Sequence, residues 1–124
     1  MEDELLIVVT GSRWYGKAGV VARVLSEYSQ ANVRILHGAC SRIVKGEEVS
    51  ADMLADKAAR NLGYQVEGHP ADWTAHGAAA GPKRNEEKLI ARNPHLVIAF
   101  GTGKGTDGCV ELAQQAGLNV RREP

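Results

Sequence analysis

Two short runs, Leu5–Val9 and Leu96–Phe100, are apolar at every position, and each leads at once into a glycine-bearing turn and a helix. A strand with no polar face has to be buried on both sides, as happens in the middle of a parallel sheet covered by helices. The intervening segments fit that demand. Val21, Val24, Leu25 and Tyr28 recur at helical spacing behind the first run, and Leu54, Ala58 and Leu62 do so behind Ser50. The expected order is strand Leu5–Thr10, helix Lys17–Ala31, strand Val33–His37, a polar loop over Ser41–Glu48, and a helix from its Ser50 N-cap to Leu62, stopped by Gly63. Strand Tyr64–Glu67, a long loop from Gly68 to about Pro82, helix Arg84–Arg92 and strand His95–Phe100 follow. The chain then reads as helix Asp107–Ala116, capped by Thr106 and stopped by Gly117, and strand Leu118–Arg121. This alternation predicts one α/β domain over residues 1–124, Rossmann-like, with a parallel sheet of about five strands and helices on both faces.

Ligands of such sheets bind beyond the C-terminal strand ends, and the unusual loops of this chain all fall there. Gly101-Thr102-Gly103-Lys104-Gly105-Thr106 follows the second apolar run. Its glycines leave backbone N–H groups free to close around an anion, and the helix behind adds its positive end. Gly11-Ser12-Arg13 follows the first run and forms a second cradle. A phosphate-bearing small molecule is therefore the expected ligand. Two familiar motifs fail on inspection. Gly11 to Lys17 has Walker A spacing, but Ala18 stands where Ser or Thr must hold Mg²⁺. Gly103 to Gly108 fits G-x-G-x-x-G, but the chain lacks the second mononucleotide half that a dinucleotide fold requires.

Composition narrows the classes. Fifteen basic and fifteen acidic residues give a formal charge of zero, which argues against a nucleic-acid partner held by charge. Arg13, Lys17, Lys83, Arg84 and Lys104 are nonetheless placed to converge at one sheet end. Cys40 and Cys109 are too few for a disulfide framework. His37, Cys40 and Cys109 do not form the paired ligand pattern of a zinc site, so no metal or cofactor is expected. The acidic start, Met1-Glu2-Asp3-Glu4, is unlike a signal peptide, and no apolar run approaches membrane-spanning length. A cytoplasmic protein without a membrane partner is expected. Trp14 and Tyr15 are read as packing on the core edge, with a stacking surface for a base as the alternative, and Trp73 as a hydrophobic anchor.

Several segments taken together carry a resemblance. They are Val9-Thr10-Gly11-Ser12-Arg13, His37-Gly38-Ala39-Cys40, Pro70-Ala71-Asp72-Trp73, His76-Gly77, Ala80-Gly81-Pro82-Lys83-Arg84-Asn85 and Phe100 to Thr106. In order and spacing they closely resemble the YspA-like, cpYpsA-related branch of the SLOG superfamily over nearly the whole chain. The resemblance implies a Rossmann-like nucleotide-binding domain, at least a homodimer, in a branch often carried by phages. More distant relatives are the Lonely Guy phosphoribohydrolases, which release a base from a nucleoside monophosphate, and DNA-processing protein A.

The ligand-binding set implied by loops and resemblance together is Gly11, Ser12, Arg13, Gly38, Arg84, Asn85, Gly101, Gly103, Lys104, Gly105 and Thr106. Arg84, at the start of the expected helix Arg84–Arg92, is expected to grip phosphate or ribose with little bearing on stability; the alternative is a merely solvated helix start. The chain departs from the Lonely Guy loop, P-G-G-x-G-T-x-x-E, whose glutamate is catalytic. Cys109 stands three residues after Thr106, and Glu111 comes two positions late. The Gly-Ala-Asp expected after the second strand appears as Ser50-Ala51-Asp52, displaced by Ser41–Val49. The leading expectation is a module that senses or sequesters a nucleotide or nucleotide derivative. The alternative is an N-glycosidase-like hydrolase of nucleoside 5′-phosphates, with Asp52, Asp72 and Glu111 as the candidate carboxylates.

Overall fold

The computed structural model describes residues 3–124; Met1 and Glu2, on which part of the signal-peptide reading rests, lie outside the described residues. Strands β1 (Glu4–Gly11), β2 (Asn32–His37), β5 (Gln65–Gly68), β6 (Leu96–Phe100) and β7 (Val120–Glu123) form one five-stranded sheet in the order β5-β2-β1-β6-β7. Every pairing in it is parallel. The two all-apolar runs are the neighbouring central strands β1 and β6, with Val8 opposite Val97. Strand order reverses between them, so the loops that follow them open side by side.

The strand period of two divides the core. Ile7, Val9, Ile35, Ile98 and Phe100 face α1 (Ala18–Ser26) and α2 (Ala51–Asn61), meeting Val21, Val24, Leu25, Ala55 and Ala59. Val8, Leu36 and Val97 point the other way, onto Leu89, Ile90, Cys109 and Ala113. The last two belong to α5 (Lys104–Gln115). Ser50 caps α2 by accepting the Met53 N–H at 3.0 Å. Gly63 and Gly117, at φ +78° and +74°, follow the last residues of α2 and α5 as left-handed stops.

Five elements depart from expectation. Helix α1 ends at Ser26, because Glu27, Tyr28 and Ser29 tighten into three-residue turns. The polar loop is an antiparallel hairpin, β3 (Arg42–Val44) and β4 (Glu47–Val49). Lys45 and Gly46 turn it with φ of +51° and +82°, the backbone of a two-residue I′ turn. The long loop is largely helical: Asp72 accepts the Ala75 N–H at 3.0 Å and starts α3 (Trp73–His76). A 3₁₀ turn and α4 (Ala80–Arg84) follow. The expected helix Arg84–Arg92 is instead a π turn, Asn85–Leu89, and a 3₁₀ turn, Ile90–Arg92. The fifth departure is α5, which begins at Lys104 rather than Asp107 and so takes Gly105 and Thr106 into its first turn.

The sheet edge is tied by ions. Glu67 on β5 accepts from Arg34 at 2.9 Å, Arg92 at 2.8 Å and His69 at 3.0 Å. The Arg92 bond foremost holds the Glu67 carboxyl down to about 2. Among the described residues, no helix is long and apolar enough to cross a membrane.

Candidate ligand-binding cleft

A cleft of about 1240 Å³ opens over the C-terminal ends of β1 and β6. Its walls are the loop after β1, the turn after β2, the segment from Trp73 to Leu89, and the first three turns of α5.

The wall built by α5 carries Lys104, Asp107, Glu111 and Gln115, but its first residue positions are largely glycine. Gly103 is its N-cap, at φ +151°, and no side chain caps the helix. Among the described residues, the first N–H groups of the helix therefore have no side-chain acceptor, which is the arrangement that receives an anion. Gly103, Gly105 and Gly108 all line the cleft, and a Cβ built on any of them meets nothing within 4 Å. Glycine inside a helix is unfavourable by about 1 kcal/mol relative to alanine. Neither packing nor backbone angle requires it at 105 or 108. What the missing side chains supply is open space against the backbone, on the cleft side.

Gly11 is glycine for a different reason. A Cβ there would lie 2.4 Å from Ala51 Cβ and 2.6 Å from Phe100 O, so the end of β1, the start of α2 and β6 share one crowded point. Ser12 N–H donates to Phe100 O at 3.2 Å, and Ser12 O accepts the Ala51 N–H at 3.1 Å. Ser12 Oγ accepts the Trp14 N–H at 3.0 Å, closing the loop on itself.

The turn after β2 is stitched to α2. His37 is buried; its Nδ1 accepts the Ala39 N–H at 2.9 Å, so Nε2 carries the proton and donates to Asp56 at 2.7 Å. Ala39 lies in the left-handed region at φ +55°, a conformation costing a non-glycine residue roughly 1–2 kcal/mol. The kink aims the Cys40 N–H at Asp52 Oδ2, 3.1 Å away, while Ser50 Oγ donates to Cys40 O. The β3–β4 hairpin thus leaves and re-enters the fold at one clamp, and Asp52 sits under the β2 turn despite the insertion.

Asp52 is 4% exposed and lines the cleft. Burial pushes its carboxyl above the ordinary range, opposed by His37, the Cys40 N–H and Arg84. Its Oδ1 has no hydrogen-bond partner among the described residues. A buried polar atom without a partner is uncommon and marks a place for a donor.

Arg84 ends α4 and does not start a helix, and at 9% exposure it is not the solvated side chain of the alternative reading. Its Nη1 donates to Gly38 O at 2.6 Å and His69 O at 3.0 Å, and its Nε to Asn85 Oδ1 at 2.7 Å. A Cβ on Gly38 would lie 2.6 Å from the guanidinium carbon, so that glycine makes room for the charge. No carboxylate pairs with Arg84 within salt-bridge distance among the described residues. Only Nη2 is left with a weak partner, Cys40 Sγ at 3.9 Å. Directly afterwards the π turn Asn85–Leu89 carries buried Asn85 toward the same cleft. Single π turns of this kind are frequent at functional sites.

Of the expected ligand set, the cleft is lined by Gly11, Ser12, Arg13, Gly38, Arg84, Asn85, Gly103, Lys104, Gly105 and Thr106. Gly101 is not among the lining residues; its φ of +76° and the Tyr15 ring 3.0 Å from its Cβ position give it a turn-making role. Of the carboxylates, Asp52 and Glu111 line the cleft, whereas Asp72 caps α3 outside it. Lys83 pairs with Glu87 at 2.8 Å, and Lys17 points away to Pro124 O at 3.4 Å. Gly108 was legible only in the G-x-G-x-x-G match. Trp73 is 54% exposed on the cleft and is not a buried anchor. No group of His, Cys, Asp or Glu among the described residues is arranged to hold a metal.

Cys109 lies wholly in the core, where burial pushes its thiol up to about 11. Cys40 is partly exposed. Iodoacetamide at pH 8 is expected to modify Cys40 in the native protein and Cys109 only after unfolding, because the thiolate is the reactive form. Peptide mass spectrometry reads this directly; native labelling of Cys109 at the rate of Cys40 would contradict its burial.

The Gene 61 protein of Mycobacterium phage D29 is 33% identical over 122 residues, which cover 92% of each chain. This chain belongs to the family of that phage protein. No protein-family model matches it. Among solved structures, the Moco carrier protein from Chlamydomonas reinhardtii superposes with a TM-score of 0.68 at 19% identity, over 98% of this chain and 79% of that one. The C-terminal domain of PF1911 hydrogenase from Pyrococcus furiosus gives 0.54 at 16% identity, over 100% and 95%. At these identities the likeness is one of fold, and it is the Rossmann-like α/β fold expected from the sequence.

Proposed function

We propose that this phage-family protein holds a nucleotide or nucleotide-derived molecule in the cleft, as a sensing or sequestering module of the SLOG type. The observation that carries the reading is the bare start of α5, where Gly103, Gly105 and Gly108 face open cleft at a helix end no side chain caps. A phosphate placed there meets backbone donors and the helix dipole without steric hindrance. Lys104 on the same turn, and Arg13 across the cleft, line it as exposed cations. The fold shared with a protein named as a Moco carrier supports a module whose work is to hold a small molecule. The SLOG resemblance further supports a homo-oligomer. Native mass spectrometry of protein purified from cells tests the reading. A retained phosphate-bearing mass, lost in Gly105→Asp, is expected; a preparation that neither retains nor binds any phosphorylated nucleoside would refute it.

One feature favours the hydrolase alternative. Asp52 is a buried carboxyl at the cleft wall, with a raised proton affinity and one buried oxygen without a partner among the described residues, the kind of group that serves as a general acid. Against it stands Cys109, an inert core thiol in the place of the catalytic glutamate. Incubating concentrated protein with nucleoside monophosphates and assaying free base by chromatography separates the two. No release is expected; release abolished by Asp52→Asn would establish the hydrolase.

A further inference from the structure

Both tryptophans of the chain line the cleft, and both are left in water: Trp14 is 72% exposed and Trp73 54%. They reach it from different parts of the fold, Trp14 from the loop after β1 and Trp73 from the start of α3. Each is held in position. The Arg42 guanidinium lies 4.7 Å from the Trp14 ring centroid, and its Nε is fixed on Arg13 O at 2.7 Å. The Trp73 indole lies against Gly81, where a Cβ would come within 3.3 Å of its ring. The absent side chain at 81 is what admits the ring. A smaller recess of about 310 Å³, lined by Trp73, Arg13, Cys40 and Arg84, adjoins the main cleft on this side. Aromatic faces that are exposed yet fixed lose little conformational freedom on binding, and they offer flat apolar area with a polar edge.

We infer that Trp14 and Trp73 form a stacking subsite for the flat heteroaromatic ring of the ligand, at the cleft mouth, while its phosphate sits at the start of α5. This rests on the proposed phosphate site and adds the ring to it: the ligand class is a base-bearing sugar phosphate, as opposed to a sugar phosphate alone. Stacking is tolerant of base identity because every base has a π face. Purine and pyrimidine monophosphates should therefore share the subsite, with selectivity among them set elsewhere.

AMP, GMP, CMP and UMP are compared with ribose 5-phosphate, which carries the same sugar and phosphate without a base. Binding is measured by ³¹P nuclear magnetic resonance titration, and tryptophan emission is followed on excitation at 295 nm, which in this chain reports only on the cleft. At least one of the nucleotides is expected to bind roughly tenfold or more tighter than ribose 5-phosphate, the scale of one base stacked on an aromatic side chain. That nucleotide should change tryptophan emission, and the sugar phosphate should not. Trp14→Leu and Trp73→Leu, at exposed positions, should keep the native circular dichroism spectrum and bind ribose 5-phosphate within twofold, while losing most of the nucleotide advantage. Equal binding of nucleotides and ribose 5-phosphate, or a nucleotide advantage that survives both substitutions, would overturn the stacking subsite and leave the phosphate site standing. Binding of none of the five would overturn the phosphate site and the stacking subsite together.

Discussion

Gly105→Asp is expected to abolish nucleotide binding while leaving the melting temperature unchanged or slightly higher. The two effects have opposite signs because the site lies in the first turn of α5, which starts at Lys104 and has no side-chain cap. For the free protein, a carboxylate there complements the helix dipole by about 0.3–1 kcal/mol, and aspartate recovers a small part of the roughly 1 kcal/mol by which glycine falls below alanine in a helix. Nothing lies within 4 Å to obstruct it. For the complex, the same carboxylate sits where a phosphate must approach. Like charges about 4 Å apart repel by about 4 kcal/mol at an effective dielectric constant near 20, which is a loss of roughly a thousandfold. Gly105→Ala should show the steric part alone, with higher stability and a smaller loss of affinity. Calorimetric titration with AMP and thermal unfolding of the same samples give both readings. A stable Gly105→Asp protein with undiminished affinity would remove the anion from α5.

The reach of sequence reasoning follows from where physical information is local. Leu5–Val9 and Leu96–Phe100 announced the two central strands because burial on both faces leaves no room for a polar residue. Ser50, Gly63 and Gly117 announced helix ends because caps are chosen by their own backbone. The β3–β4 hairpin was hidden because its turn is Lys45-Gly46, without the usual Asn or Asp before the glycine. The helical run from Trp73 to Arg92 was hidden for another reason. Gly77, Gly81 and Pro82 read locally as breakers, whereas here Gly77 bends the chain between two short helices and Gly81 admits Trp73. The start of α5 was placed three residues late because Gly103 and Gly105 look like loop, and the absence of a capping side chain, which points to a ligand, removes the usual boundary signal. In the cleft, residue types were legible but burial was not. Only the fold shows that Arg84 is enclosed between the β2 turn and His69, that Asp52 retains an unpartnered oxygen, and that Trp73 faces water.

That enclosure of Arg84 determines the second large effect. Arg84→Ala is expected to lower stability by about 3 kcal/mol, because hydrogen bonds to charged groups contribute roughly 1.5–3 kcal/mol and partners left behind lose their donor. Gly38 O, His69 O and Asn85 Oδ1 are those partners, and two of them join the strand ends of β2 and β5 to α4. For a domain of this size the melting temperature should fall by roughly 10 °C. The deficit should also depend on pH. Arg84 lowers the proton affinity of Asp52, which burial raises; removing the cation raises it further. A carboxyl whose affinity is higher in the folded than in the unfolded state binds more protons when folded. Its contribution therefore declines as pH rises through the unfolded value toward the folded one. The deficit of Arg84→Ala should thus be smaller near pH 5 than at pH 7, and Asp52→Asn in the same background should restore part of it by removing the buried charge while keeping an acceptor for the Cys40 N–H. Thermal unfolding of the four proteins of this double-mutant cycle at both pH values measures the coupling. A melting temperature unchanged by Arg84→Ala would place the guanidinium in solvent. A deficit that neither pH nor Asp52→Asn alters would show that Arg84 acts through its carbonyl partners alone, with no electrostatic link to the carboxyl beside it in the cleft.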